Sequence, residues 1–467
     1  DDHATQAFGA YGGHLEAENI TPNLDRIASE GMIFRRAYVG NSICAPSRAT
    51  LLTGKHSHKN GKFTNKDEFN HDQPQFQKLL QKHGYQTAMI GKIHLSGKMQ
   101  GFHYWEVLPG QGKYWDPTFI TEEGQTVYKG EHSSDVITSR AIEWLKNSRD
   151  KSKPFMAMVH FKAPHRRWQP TTRMKEKFKN RMFPEPDTLF DDYSGRTTAA
   201  KEQDMSILKT MSMAKDVKSE QPERAAELEK IDPTDAKALT SLKYQWYMRD
   251  YLACVAGVDE NIGKLMQFLE DEELAKNTVV MYSSDQGFYL GEHGWFDKRF
   301  MYEESYRTPL IARWPNVIKP GSVNADLVQN IDNAPTFLDI AGVPIPEDMD
   351  GVSLVPLLKG KTPQDWRTSL YYHYFEYPGI HKVRRHEGVS NKRFKLIRFY
   401  GVDVPGNEEW ELYDLERDPQ EMNSVYNNPE YASQVKQLKA ELSQLRSHYG
   451  VTEEVLPKQR PSKKKKS

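Results

Sequence analysis

Apolar positions along this chain follow two alternating rhythms. Leu24, Ile27 and Ala28 repeat at helical spacing, with Thr21 as N-cap, Pro22 at the first helical position and Gly31 after the last turn. A short apolar run from Ile33 to Val39 predicts a strand. A second helix is predicted from Pro46 through Leu51 and Leu52 to Thr53-Gly54. Further on, helices are predicted over Phe76–His83, Ser134–Ser148, Leu242–Glu270 and Ile331–Ala341. Strands are predicted over Tyr85–Ile90, Phe155–Phe161, Thr278–Tyr282 and Pro309–Trp314. Strands alternating with helices predict an α/β fold, a large and mostly parallel sheet sandwiched by helices.

Two stretches depart from that rhythm. From about Thr171 to Thr240 the chain is rich in Lys, Glu and Asp and poor in aliphatics, which predicts a helical, charged insertion beside a cleft. From Trp366 onward, Leu370–Tyr377, Arg393–Tyr400 and Glu409–Asp414 predict antiparallel strands, and Tyr431–Tyr449 an amphipathic helix. The predicted organisation is a main domain over 1–365, a smaller C-terminal α+β domain over 366–450 and a disordered basic tail over 451–467, ending in Lys463–Lys466.

Composition narrows the function classes. Lys+Arg and Asp+Glu are 64 each, and this balance argues against a dedicated nucleic-acid binder. No apolar run reaches the roughly 18–20 residues of a spanning helix. Two cysteines exclude a disulfide framework. No signal peptide is visible ahead of Asp1.

Polar residues follow several predicted strands: Lys92 and His94, His165, and Asp285 with Gln286. In open α/β sheets ligands bind outside the carboxyl ends of strands, so a parallel sheet would bring these motifs to one rim. Asp1-Asp2 and Asp285-Gln286 offer oxygen ligands, the set a hard cation such as Ca²⁺ or Mg²⁺ prefers. Arg48, Lys92, His94, His165 and Lys298 would suit a tetrahedral oxyanion, sulfate or phosphate. Cys44 precedes Pro46 at a helix N-terminus, where the dipole favours an activated nucleophile, and Arg48 lies one turn on. Cys254, among Leu252, Val255 and Ala256, is assigned to the core.

Cys44-Ala45-Pro46-Ser47-Arg48 followed by Leu52-Thr53-Gly54 resembles the signature of the type I, formylglycine-dependent sulfatases of the alkaline phosphatase superfamily. Asp1-Asp2, Thr21-Pro22-Asn23-Leu24-Asp25, Gly91-Lys92-Ile93-His94 and Ala163-Pro164-His165 are similar to further motifs of that family. So are Ser284-Asp285-Gln286-Gly287, Gly291-Glu292-His293-Gly294, Asp297-Lys298 and the Trp410–Glu421 segment. The resemblance implies one divalent cation, Ca²⁺ above all, on Asp1, Asp2, Asp285 and Gln286. It implies that a maturation enzyme oxidises Cys44 to formylglycine, whose hydrate attacks the sulfur of a sulfate ester. Arg48 and Lys92 would hold that residue. Lys298 and His165 would bind sulfate, with His165 as the acid for the leaving alcohol and His94 as the base that regenerates the aldehyde. It also implies export from the cell, and an apolar strand ahead of Asp1, so that Asp1 marks a processing or fragment boundary.

Phosphomonoester or phosphonate ester hydrolysis on the same scaffold is the alternative chemistry, and a non-catalytic protein that binds sulfated glycans is a third reading. Arg166, Arg167 and Trp168 follow His165. His103, Tyr104, Trp105 and Trp115 follow the Lys92 motif, and His381, Arg384, Arg385 and His386 lie in the C-terminal domain. Aromatics stack on sugars and basic residues pair with acidic groups, so these positions predict a sulfated, anionic oligo- or polysaccharide. His293, Arg166, Trp168, His381, Arg384 and Arg385 are the candidate substrate contacts.

Overall fold

The computed structural model describes residues 1–457; the lysine run of the expected tail lies outside the described residues. Two sheets organise the main body. One has five strands in the order Gln125–Val127, Thr118–Ile120, Tyr104–Leu108, Gln86–Lys92 and Phe155–His160. Its last three strands run parallel, in registers such as Ala88↔Tyr104 and Ala88↔Ala157, while the first two form an antiparallel hairpin extension. The other has four, in the order Ser322–Asn324, Met32–Phe34, Leu310–Arg313 and Val280–Ser283. There Leu310–Arg313 is antiparallel to both neighbours.

The expected mostly parallel sheet is therefore mixed. The reason lies in the connections. A parallel return needs a crossover, usually a helix. Residues 284–309 carry no crossover helix, only the single turns Glu292–Gly294 and Glu303–Tyr306, so the chain comes back antiparallel. The single strand expected over Ile33–Val39 divides: Met32–Phe34 stays in the four-stranded sheet, and Ala37–Tyr38 pairs with Val328–Gln329.

The central helix runs over Ala236–Asp271, starting six residues before the expected Leu242. Asp235 caps it by accepting from the Lys237 and Ala238 amides at 3.0 Å. Its middle carries Tyr244, Trp246, Tyr247, Tyr251 and Val255 into the main core, and Cys254 lies buried there with its thiol pushed up to about 12 by that burial. The 171–240 segment contributes the short helices Thr172–Phe178, Thr198–Glu202 and Pro222–Leu228. It is not merely a solvated excursion, because Met205, Ile207, Met211, Asp216 and Val217 are buried.

The C-terminal sheet is an antiparallel meander of Ser369–Tyr374, His386–Asn391, Phe394–Tyr400 and Glu408–Asp414. Alternation splits its side chains between two faces. Tyr371, Val389, Leu396 and Leu412 pack with Leu438 and Leu442 of the Ala432–Tyr449 helix. Tyr372, Tyr374, Ile397 and Phe399 pack with Trp295, Phe300, Tyr302 and Tyr306 of the main body.

One ion cluster pins this junction. Lys395 is fully buried, with its ammonium 2.8 Å from Glu303 and 2.8 Å from Glu421. Truncating one member of a buried charge cluster strands the others. Lys395→Met is therefore expected to cost about 3–5 kcal/mol, read as a lowered urea midpoint with an unchanged slope. A loss below about 1 kcal/mol would remove this cluster as the pin.

Candidate active site

Asp2 and His3 are held through their backbone. Asp2 N–H donates to Asp285 Oδ1 at 3.0 Å, His3 N–H donates to Ser284 Oγ at 2.9 Å, and the Tyr251 hydroxyl donates to Asp2 O at 2.7 Å. The Val280–Ser283 strand thus delivers Asp285 and Gln286 to the same point as Asp1 and Asp2. The Gln86–Lys92 strand delivers Lys92. Gly91, at φ +103°, lies so close to its neighbour that a Cβ there would sit 2.1 Å from the His160 carbonyl, so only glycine fits before Lys92.

Cys44 is the first residue of the Cys44–Thr53 helix, which begins two residues earlier than the expected Pro46. The Ala45 amide, free at a helix start, donates to Asn65 Oδ1 at 3.0 Å. Gly54 closes the helix in the left-handed region at φ +63°. One turn on, Arg48 is buried and reaches Asp285 Oδ2 through Nε and Nη2, each at 3.0 Å, with Asp1 Oδ1 at 3.4 Å from Nη2.

The remaining expected residues close on this cluster. Lys92 Nζ donates to Asp1 Oδ2, and to Gln111 Oε1 at 2.5 Å. Lys298 Nζ donates to Asp2 Oδ1 at 2.6 Å, and His165 Nε2 lies 3.8 Å from Asp2 Oδ2. Cys44 Sγ is 4.0 Å from both Asp2 Oδ1 and Gln286 Nε2. One potential ligand atom from each of Asp1, Asp2, Cys44 and Asp285 lies within 4.8 Å of the others. Asp1 Oδ1, Asp2 Oδ2 and Gln286 Oε1 are buried without a hydrogen-bond donor. Three orphaned acceptor oxygens among carboxylates are the donor set of a hard cation, so the residues fit one.

Burial and the cations set the protonation states. Burial raises the Asp285 carboxyl, but Arg48, Lys298 and Lys92 together hold it well below the usual carboxylate range. Burial brings Lys92 down to about 8. Burial, then Lys92 and Arg48, bring His94 down to about 2, so its ring is neutral. Burial and the ammonium groups of Lys92, Lys298 and Lys162 push His165 well below the ordinary histidine value. Burial would depress Lys298, but Asp2, Cys44 and Asp285 raise it beyond its ordinary value.

The family model for sulfatases matches residues 1–343, and that for the C-terminal region of N-sulphoglucosamine sulphohydrolase matches 291–448. The chain belongs to the sulfatase family. It is an enzyme of the sulfuric ester hydrolase class. It is 50% identical to an N-acetylglucosamine-6-O-sulfatase of Bacteroides thetaiotaomicron, over 96% of this chain and 85% of that protein. It also superimposes, with a TM-score of 0.93 and 48% identity over 98% of both chains, on a solved structure in complex with its substrate D-glucosamine-2-N,6-O-disulfate. A phosphonate monoester hydrolase of Agrobacterium radiobacter, at 20% identity and TM-score 0.73 over 99% of this chain and 98% of that one, shares the sulfatase fold.

The six expected substrate contacts scatter. Trp168 is fully buried against Tyr247, Tyr251 and Phe288 and offers no ring face to a sugar. His293 is also fully enclosed: its Nδ1 meets Asp191 at 3.0 Å and Arg196 at 2.9 Å, and its carbonyl accepts from Tyr193 at 2.8 Å. All three partners come from the charged insertion, which folds over His293 and closes it off. Arg166 and His381 do approach the site. Arg166 donates twice to Asp216, at 2.8 and 2.7 Å, and its Nη1 is 3.5 Å from His381 Nε2. His381 Nε2 lies 3.2 Å from Asp297, the neighbour of Lys298. Arg384 and Arg385 lie further along the same loop.

Sequence reading missed Gln111 and Lys162. Gln111 bridges Lys92 and Lys162, its amide oxygen accepting from Lys92 and its backbone carbonyl from Lys162 Nζ at 3.0 Å. Lys162 is buried, and that burial, with Lys92 nearby, brings it down to about 7. Lys162 lies three residues before His165, so a second lysine just past the Phe155–His160 strand was the available signal. Gln111 sits in a turn with no chemical mark.

Proposed function

We propose that this enzyme removes the 6-O-sulfate from a glucosamine unit of a sulfated glycan. The observation that carries the chemistry is the convergence of Cys44, Arg48, Lys92, His165 and Lys298 on one buried cluster of carboxylates. The sugar is supported by the two similar proteins above, whose descriptions name 6-O-sulfated glucosamine.

Asp1, Asp2, Asp285 and Gln286 would hold Ca²⁺, which supplies positive charge where sulfate oxygens gather. Cys44, oxidised to formylglycine by a maturation enzyme, supplies an oxygen nucleophile for sulfur. Arg48 and Lys92 orient that residue and offset the carboxylates. Lys298 and His165 take sulfate oxygens. His165 is held neutral by burial and three lysines. A bound sulfate offsets the lysines and lifts the ring toward the state that gives a proton to the departing 6-hydroxyl. His94, neutral and with Nδ1 buried and unpartnered, suits the base that accepts a proton when sulfate leaves. Arg166 and His381 form a polar wall beside Lys298 for the sugar hydroxyls. A glycan substrate is consistent with export, and among the described residues no helix is long and apolar enough to cross a membrane.

The test compares the initial rates of sulfate release from glucosamine 6-sulfate and from a 3-sulfated isomer with the initial rate of alcohol release from a phosphonate monoester. The 6-sulfate is expected to be fastest by at least about 10²-fold. Faster phosphonate cleavage would replace this reading with the alternative.

The wall makes its own prediction. Asp216 is fully buried, and Arg166 is its bidentate partner. Asp216→Asn releases the guanidinium and is expected to raise KM about tenfold, with kcat changed less than about threefold. An unchanged KM would take Arg166 out of substrate binding.

A further inference from the structure

The turn after the Tyr104–Leu108 strand sets one exposed side chain against the buried cluster. Lys92 is fully buried, yet its ammonium donates to Oε1 of Gln111, an exposed residue, at 2.5 Å, as well as to Asp1. An exposed side chain in contact with Lys92 marks where solvent, and so a substrate, meets the cluster. The backbone beneath it is fixed. The Gln111 carbonyl accepts from Lys162 Nζ at 3.0 Å, and Lys162 is only 4% exposed. The same ammonium lies 4.8 Å from the centre of the Tyr114 ring, and the Tyr114 hydroxyl donates to the His165 carbonyl at 2.6 Å. Gly112 N–H closes the turn on the Pro109 carbonyl at 2.9 Å. At φ +66°, a Cβ on Gly112 would lie 2.8 Å from Leu108 Cδ1, so the turn needs glycine. The 109–114 loop is thereby tied to Lys92, Lys162 and His165 at once.

The orientation of the Gln111 amide follows from its partner. An ammonium only donates, so the atom that faces Lys92 is the amide oxygen. Nε2 is turned away from Lys92, and it makes no hydrogen bond among the described residues. An amide donor is therefore held in a set direction at the rim of the cluster. Its neutrality suits the place. Arg48, Lys92 and Lys298 already crowd this cluster, with Lys162 beside it, and a further cation would add like-charge repulsion. A neutral N–H donor adds a hydrogen bond to an oxyanion without that cost.

We infer that Gln111 is a further catalytic residue, whose Nε2 donates to a non-bridging oxygen of the sulfate ester while Oε1 keeps Lys92 in place. This rests on the reading that a sulfate ester is turned over at this cluster, and adds to Lys298 and His165 a neutral donor from the rim.

The experiment has two arms. The first is a crystal structure of the calcium-loaded Cys44→Ala enzyme with glucosamine 6-sulfate bound. Nε2 is expected about 2.7–3.2 Å from a sulfate oxygen, and a separation beyond about 3.5 Å from every sulfate oxygen overturns the contact. The second arm measures kcat and KM for sulfate release by the matured wild type, Gln111→Leu and Gln111→Glu. Leucine removes both amide heteroatoms. Glutamate keeps an acceptor for Lys92 and loses the N–H donor, so it would rescue a role confined to holding Lys92. Both variants are expected to lower kcat/KM by at least about tenfold, and a smaller loss in either overturns the assignment. Because the side chain is exposed, melting temperatures are expected within about 2 °C of wild type, which separates lost contact from lost fold. Absence of sulfate release by the wild type instead overturns the reading on which the assignment rests.

Discussion

Cys44→Ala is expected to lower sulfate release by at least about 10⁴-fold, because a covalent nucleophile has no substitute in this cluster. The structural cost is expected to be small. The thiol is 1% exposed, yet its two polar contacts, to Asp2 and Gln286, are both at 4.0 Å, long even for sulfur. The helix start is secured by the neighbouring Ala45 amide on Asn65, and by Ser47, whose hydroxyl donates to the Asp285 carbonyl and accepts from Asn330 at 2.9 Å. A melting temperature close to wild type is therefore expected alongside the lost activity. The mass of the peptide carrying residue 44 gives an independent readout, since it distinguishes cysteine from formylglycine. An alanine variant that keeps a tenth of wild-type kcat would remove Cys44 from the chemistry.

Removing divalent cations is expected to have the second largest effect, on stability as well as rate. Asp1, Asp2 and Asp285 crowd three carboxylates into one buried cluster, with Arg48, Lys92 and Lys298 as the offsetting charges. Each orphaned buried acceptor costs about 1–3 kcal/mol, and Asp1, Asp2 and Gln286 each leave one. A cation that satisfies them binds only the folded chain. At about 100 times its dissociation constant it would add about 2.7 kcal/mol, visible as a raised melting temperature. Ca²⁺ is expected to raise it more than Mg²⁺, because Ca²⁺ tolerates irregular oxygen geometry. EGTA is expected to reverse both the shift and the activity. A melting temperature indifferent to Ca²⁺ and EGTA would contradict the assignment of these four residues.

Much of the fold was legible because its signals are local. Thr21-Pro22 and Gly31 bound the Pro22–Glu30 helix as read, and the apolar run before Lys92 is the Gln86–Lys92 strand. Strand direction was not legible, since it depends on how residues 284–309 return, and their composition says nothing about that. The His386–Asn391 strand was missed for another reason. His386, Glu387 and Ser390 are polar yet buried, and Glu387 owes its burial to Arg446 and Arg398 far along the chain. Local polarity cannot announce such partners.

The candidate site divides along the same line. Charged residues at strand ends announced Lys92, His165 and Asp285, which the fold brings within reach of one another. Trp168 and His293 carry the same residue types as sugar contacts, but long-range packing consumes them. The central helix takes Trp168, and Asp191, Tyr193 and Arg196 take His293. Lys162 shows the converse case, a plain lysine in sequence that burial and Lys92 depress to about 7.

The most direct test of the central claim follows the proton spectrum of D-glucosamine-2-N,6-O-disulfate during incubation with the matured, calcium-loaded enzyme. Sulfate is measured in parallel, with Cys44→Ala as control. The account predicts that the C6 protons shift as the 6-O-sulfate leaves, that one sulfate appears per sugar, and that the C2 signals of the N-sulfate stay in place. Loss of the N-sulfate with the C6 protons unmoved, or equal turnover by the alanine variant, would contradict it.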